Sequence, residues 1–187
     1  MNLSIATLND IDDVLKLHAK YQIDSIAPED KKDGFVTTAL NKELLAKLID
    51  EEQGLFIARI NGKVVAYVMC GSWHFCSIWP IFTQMIEDLP NLSYLGQTIT
   101  TENSYQYGPV CVDKNVRGRG VLEALFDFAR EEMHKRYPIL VTFINTINHR
   151  SFNAHSRLGL EVIKEFSFNN NHYYELVYDT SKKLAGK

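Results

Sequence analysis

The stretch Tyr105-Gln106-Tyr107-Gly108-Pro109-Val110-Cys111-Val112-Asp113-Lys114-Asn115-Val116-Arg117-Gly118-Arg119-Gly120-Val121-Leu122 decides how this chain folds. Residues 105–112 read as a strand interrupted by Gly108-Pro109. After the glycines, Val121, Leu122, Leu125, Phe126, Ala129 and Met133 recur at helical spacing, predicting a helix that ends near Arg136 with Pro138 beyond it. Glycines at a strand-to-helix junction let the backbone turn sharply and aim several N–H groups one way. The helix N-terminus adds roughly half a positive charge. Such a turn suits a phosphate or pyrophosphate. The same residues also fit a plain tight turn with a basic surface.

Two nucleotide-binding motifs fail on these residues. A P-loop needs Gly-Lys-Ser/Thr after four spacers, which is absent. A dinucleotide fingerprint needs a third glycine three residues after Gly120, where Glu123 stands.

Downstream, residues 139–144 read as a buried strand. Asn148 then caps a short helix that Gly159 closes. Asn148, Ser151 and His155 fall at offsets of zero, three and seven, on one helical face. Residues 162–168 and 173–178 predict a final hairpin across Asn169-Asn170-Asn171.

Upstream, residues 3–8 read as a strand and Asn9 as the cap of a helix running to about Ile23. Residues 24–33, with Pro28, read as a loop, and Asn41 caps a second helix. Residues 55–60 and 64–69 flank Asn61-Gly62, whose positive φ angles suit a type I′ turn, so an antiparallel hairpin is predicted. A helix over 78–89, ended by Pro90, and a long loop over 91–104 complete the chain.

The composition is that of a globular protein, with 187 residues, 45% hydrophobic and 23% charged. It suits one domain over residues 1–180 followed by a flexible tail, 181–187. The net charge of −3 provides no global field for nucleic acid or acidic membranes. No signal peptide, no run of 18 apolar residues and no metal-ligand spacing is visible. Cys70 and Cys111 sit in apolar runs as free thiols, which favours a reducing, cytoplasmic setting.

Val110-Cys111-Val112, then Arg117-Gly118-Arg119-Gly120, then Asn148-x-x-Ser151-x-x-x-His155-x-x-x-Gly159-Leu160 resembles the GCN5-related N-acetyltransferase (GNAT) family. The resemblance implies a single α/β domain with a mixed, mostly antiparallel sheet flanked by helices on both faces. It implies acetyl-CoA in a cleft between strands splayed at Val110 and Ile144, and no metal. The pyrophosphate would sit on backbone N–H groups of Arg117, Gly118, Arg119, Gly120, Val121 and Leu122. Val110, Cys111 and Val112 would hold the pantetheine arm, with Asn148 and Ser151 touching it from the other side. The sequence departs from the family at Leu122, where glycine or alanine is usual, at His155, where tyrosine is usual, and at Leu160, where phenylalanine is usual.

The expected reaction is N-acetyl transfer to a primary amine of a small molecule or peptide, by direct attack on the thioester. His155 is the candidate acid for the leaving thiolate. Tyr107 is the first candidate base, with Tyr105, Glu102 and His74 as alternatives. Phe35, Trp73, Phe75 and Trp79 line a pocket for an apolar amine or belong to the core or a subunit contact. The helix over 78–89 is a lid or a homodimer surface. A non-catalytic acyl-CoA sensor and an interaction domain with a vestigial cleft are the other two classes.

Overall fold

The computed structural model describes residues 1–184 and groups them into two compact units. The first unit comprises Met1–Cys70 and Gly108–Ala129, and the second Gly71–Tyr107 with Arg130 onward. The expected tail is partly outside the described residues, at 185–187. Within it, Ser181 and Lys182 are tied back to Asp179 by hydrogen bonds.

The first unit opens with β1 (Asn2–Ile5), shorter than the expected strand. Thr7, not Asn9, begins the helical segment. Its N–H donates to the Asp10 carboxylate at 2.7 Å, and Arg59 holds that carboxylate in an ion pair. The helix α1 (Ile11–Ala19) follows and stops earlier than its apolar spacing suggested. Residues 24–33 are not all loop, because Pro28–Asp33 winds into a 3-10 helix with proline in its first turn. Asn41 caps α2 (Lys42–Lys47) as expected, accepting the Leu44 N–H at 2.8 Å, and the helix widens into a π turn over Leu48–Glu52.

The hairpin forms as predicted, from β2 (Leu55–Ile60) and β3 (Lys63–Gly71), with Asn61 and Gly62 at φ 52° and 76°. The strands of this unit run in the order β1–β2–β3–β6, where β6 is Ser104–Val112. Residues 55–58 are buried on both faces, which is why β2 reads as a continuous apolar run rather than an alternation. Phe56 meets Phe128 edge-on at 5.9 Å.

The second unit begins with α3 (Trp73–Cys76) and α4 (Pro80–Asp88). The helix expected over 78–89 starts at Pro80, two residues later, and ends at Asp88. Pro80 fits the first turn of a helix but not its interior, so Trp79 becomes the N-cap. The expected long loop holds a minimal hairpin, β4 (Ser93–Tyr94) with β5 (Gln97–Thr98). The order of strands is β6–β7–β9–β8, with β7 (Ile139–Asn145), β8 (Glu161–Phe168) and β9 (Asn171–Asp179). Only β6 and β7 pair in parallel in this unit, from Ser104↔Ile139 to Gln106↔Val141, and the other pairs are antiparallel. β6 is continuous through Gly108-Pro109, not interrupted.

The helix α5 (Val121–His134) carries the chain from the first unit into the second. Its last turn is fastened to the end of β9, where the Arg130 guanidinium donates to the Thr180 carbonyl at 2.7 Å. The helix α6 (His149–Arg157) links β7 to β8. No helix among the described residues is long and apolar enough to cross a membrane.

Candidate active site

In the first unit, Val110 and Val112 are half-buried while Cys111 between them is buried, the alternation a strand imposes. Burial pushes the Cys111 thiol up to about 12, against the opposing pull of Arg117. All three cysteines are buried and outside any disulfide.

After β6 the chain makes a 3-10 turn and enters the glycine segment. Gly118 and Gly120 have φ of 73° and 76°, a region that other residues enter only under strain. A Cβ built at either position would meet no protein atom within 4 Å. The turn is therefore open on that side. The helix hydrogen bonds begin with the Ala124 N–H donating to Gly120 C=O at 3.0 Å. The N–H groups of Val121, Leu122 and Glu123 precede that bond, so they have no intrahelical acceptor. Aligned donors beside an open glycine turn suit an anion such as a phosphate.

Arg117 is held by carbonyls of its own unit. Its N–H donates to Lys114 C=O, its Nε to Val112 C=O at 2.9 Å and its Nη1 to Asp33 C=O at 2.8 Å. Its guanidinium lies over the Tyr21 ring, 5.0 Å from the centroid. It is a strut that fastens the start of the glycine turn, whereas Arg119 is exposed.

In the second unit, Asn148 Oδ1 accepts the Ser151 N–H at 3.2 Å, so that oxygen serves the helix cap. His155 is buried and its Nδ1 lies 2.8 Å from the Ser151 carbonyl. A carbonyl accepts only, so Nδ1 carries the proton and Nε2 is left as the acceptor. Burial holds His155 below its ordinary value. The Tyr107 ring stands edge-on to His155 at 5.6 Å. Thr142 donates to the Tyr107 carbonyl at 2.6 Å, just beyond the last paired residues of β6 and β7.

Of the other base candidates, His74 and Glu102 are exposed, and Tyr105 is buried against Tyr137. Trp73 and Phe75 are core residues, and the Trp73 indole N–H donates to Ser104 Oγ at 2.9 Å. Phe35 is half-buried in the first unit, and Trp79 is half-buried in the second.

Sequence reasoning missed one buried acid. Glu175 is 2% exposed at the centre of β9, and its Oε1 has no hydrogen-bond partner among the described residues. Burial, reinforced by Asp88 and opposed by Lys164, pushes its carboxyl up to about 7. The signal was a carboxylate inside the otherwise apolar run Tyr173-Tyr174-Glu175-Leu176-Val177-Tyr178. Among the described residues no cluster of His, Cys, Asp and Glu could hold a metal ion.

Known proteins share this fold. Solved structures match nearly the whole chain. Smu.2055 from Streptococcus mutans UA159 has TM-score 0.66 at 17% identity, covering 96% of this chain and 99% of that one. The ribosomal-protein-alanine N-acetyltransferase of Brucella melitensis has TM-score 0.63 at 17% identity, covering 96% and 99%. YncA from Salmonella typhimurium, solved with acetyl-CoA, has TM-score 0.64 at 14% identity, covering 98% and 96%. At these identities the likeness shows the fold. No curated protein sequence matches the chain. The family model described as "Acetyltransferase (GNAT) family" matches residues 17–160, and with well over half its length so matched, this chain belongs to that family.

Proposed function

We propose that this chain transfers the acetyl group of acetyl-CoA to a primary amine by direct attack. The observation that carries the reading is the open glycine turn at the head of α5, immediately after β6. Gly118, Arg119, Gly120, Val121 and Leu122 bind the pyrophosphate through backbone N–H groups, and Arg117 fixes the turn through the carbonyls it holds. Val110, Cys111 and Val112 hold the pantetheine arm through their main chain, and Asn148 and Ser151 take part from α6. Bound acetyl-CoA supplies an activated thioester.

A strand N–H aimed at the carbonyl oxygen stabilises the oxyanion that forms when the amine attacks. His155, neutral and with Nε2 as its acceptor, takes the proton lost by the amine. Tyr107 orients that ring by its edge-on contact. Direct attack is favoured over an acyl-cysteine intermediate by the state of Cys111. With a thiol near 12, only about one molecule in 10⁵ carries the thiolate at pH 7. Free buried thiols suit a reducing compartment, and we assign the protein to the cytoplasm.

The test is calorimetric titration with acetyl-CoA, followed by an amine panel with detection of released thiol. Saturable binding with turnover on one or more amines is expected. Binding without turnover would favour an acyl-CoA sensor. A folded sample that does not bind acetyl-CoA would end the assignment.

A further inference from the structure

The second unit contains a group of aromatic rings that the proposed chemistry does not use. Trp79 meets Phe82 at 5.8 Å, and Phe82 meets Phe143 at 5.5 Å. Phe143 lies 5.4 Å from Tyr173 and 6.3 Å from Phe166, and those two rings stack at 5.3 Å. Phe82 is buried, while Trp79, Phe143, Phe166 and Tyr173 are each half-buried.

The sheet register places a carboxylate in this group. Glu175 is directly opposite Phe143 on β7 and opposite Lys164 on β8. Directly opposed residues share a sheet face, as do residues two apart on a strand. Phe143, Tyr173 and Glu175 are therefore on one face. Lys164, the nearby cation, is committed to an ion pair with Asp88 of α4. Glu175 Oε1 remains without a partner although the residue is almost wholly buried.

An unpaired buried carboxylate costs several kcal/mol unless a cation or a proton compensates it. Aromatic faces attract cations and repel anions. The ring faces and the carboxylate thus select the same ligand charge, and the half-buried rings offer apolar surface to a flat or alkyl body beside it.

We infer that Trp79, Phe143, Phe166 and Tyr173, with Glu175 beneath them, form a recognition subsite for an organic primary ammonium ion. The inference deepens the proposed function, because it names the acceptor class as an aryl-alkyl or alkyl ammonium compound. The Glu175 carboxyl, pushed up to about 7, is ionised above that pH and neutral below it, so the subsite carries its charge at mildly alkaline pH.

The probe is benzylammonium, with benzyl alcohol as its uncharged counterpart, titrated at pH 8 by calorimetry and by quenching of tryptophan emission. The wild-type protein should bind benzylammonium about tenfold or more tightly than benzyl alcohol. Glu175→Gln, which keeps the side-chain shape, should lose that preference and bind both probes equally. Tyr173→Leu should weaken both. Acetyl-CoA titration of Glu175→Gln should match the wild type, which shows that the variant is folded. Equal binding of the two probes by the wild type, no binding of benzylammonium, or an unchanged preference in Glu175→Gln would each overturn the subsite. Acetyl-CoA binding without ammonium binding removes the subsite alone, and the reverse result removes the acetyltransferase reading while the subsite stands.

Discussion

Glu175→Gln should stabilise the protein, and the gain should depend on pH in a defined way. The Glu175 carboxyl rises from an ordinary 4.5 to about 7 on folding. A group raised on folding contributes stability that is complete below its unfolded value and lost as pH rises through its folded value. Below pH 4.5 the wild-type side chain is neutral in both states, so Gln and Glu should be equivalent. Between pH 4.5 and 7 the unfolded chain ionises while the folded chain keeps its proton, and the wild type loses stability relative to the variant. Above pH 7 the loss is complete. A shift of about 2.5 units corresponds to about 3 kcal/mol at 1.36 kcal/mol per unit. For a chain of this length that is a rise of roughly 6 to 12 °C in Tm for Glu175→Gln at pH 8.5, falling to about zero at pH 4.5. Matched thermal melts of both proteins across this range provide the difference, in which every other titrating group cancels. A difference that does not change with pH would show that Glu175 is no more costly ionised than neutral, and would remove the physical basis for an uncompensated carboxylate.

Gly120→Asp places a side chain where φ is 76° and a negative charge beside the phosphate turn; acetyl-CoA affinity should fall by about 100-fold or more in calorimetry, in a variant that still melts cooperatively. Arg117→Ala removes two hydrogen bonds to carbonyls and a ring contact, at a cost of about 2–3 kcal/mol in stability by denaturant titration. Arg117→Lys should rescue little of it, because one ammonium cannot reproduce the planar fork, and full rescue would argue for a simple charge effect. His155→Ala should lower kcat by about 10²–10⁴-fold in a chemistry-limited assay, with a smaller change in acetyl-CoA binding. Because burial lowers His155, kcat at saturating acceptor, where charge loss at Glu175 near pH 7 no longer limits binding, should remain flat as pH falls from 8 to 6.5 and drop only below that; a kcat that instead declines as pH rises through 7 would assign the acid role to His155.

The parts of the fold that were legible in the sequence are those decided by neighbours in the chain. Asn61-Gly62 adopts its paired positive φ angles without outside help, and Asn169 and Asn170 do the same at 45° and 60°. Asn41 and Asn148 cap helices that begin within three residues of them. Where a local preference has a competitor, sequence reading failed. Asn9 is a good cap by residue type, but Thr7 and Asp10 satisfy each other's groups and start the helix earlier. The apolar spacing over 78–89 is continuous, yet Pro80 can only begin a helix, and α4 starts there. The β4–β5 hairpin was hidden because Leu95 takes a φ of 54°, which leucine rarely does and no residue pattern announces.

The same division separates the two halves of the chemistry. The proposed phosphate turn is contiguous, so glycine spacing alone points to it, and the structure adds that Arg117 is a strut. The Glu175 environment is made by β7, β8, β9 and α4, from residues up to 87 positions apart in the chain, counting from Asp88 to Glu175. In sequence, one acid inside an apolar final strand is visible, but the side chains that will surround it are not. It becomes a buried charge only because three strands and a helix close around it, while Lys164 is taken by Asp88. The proposed acceptor recognition is therefore written in tertiary pairing. A comparison of acceptor preference between proteins sharing these motifs should follow the residue opposite Phe143, rather than any residue of the glycine turn.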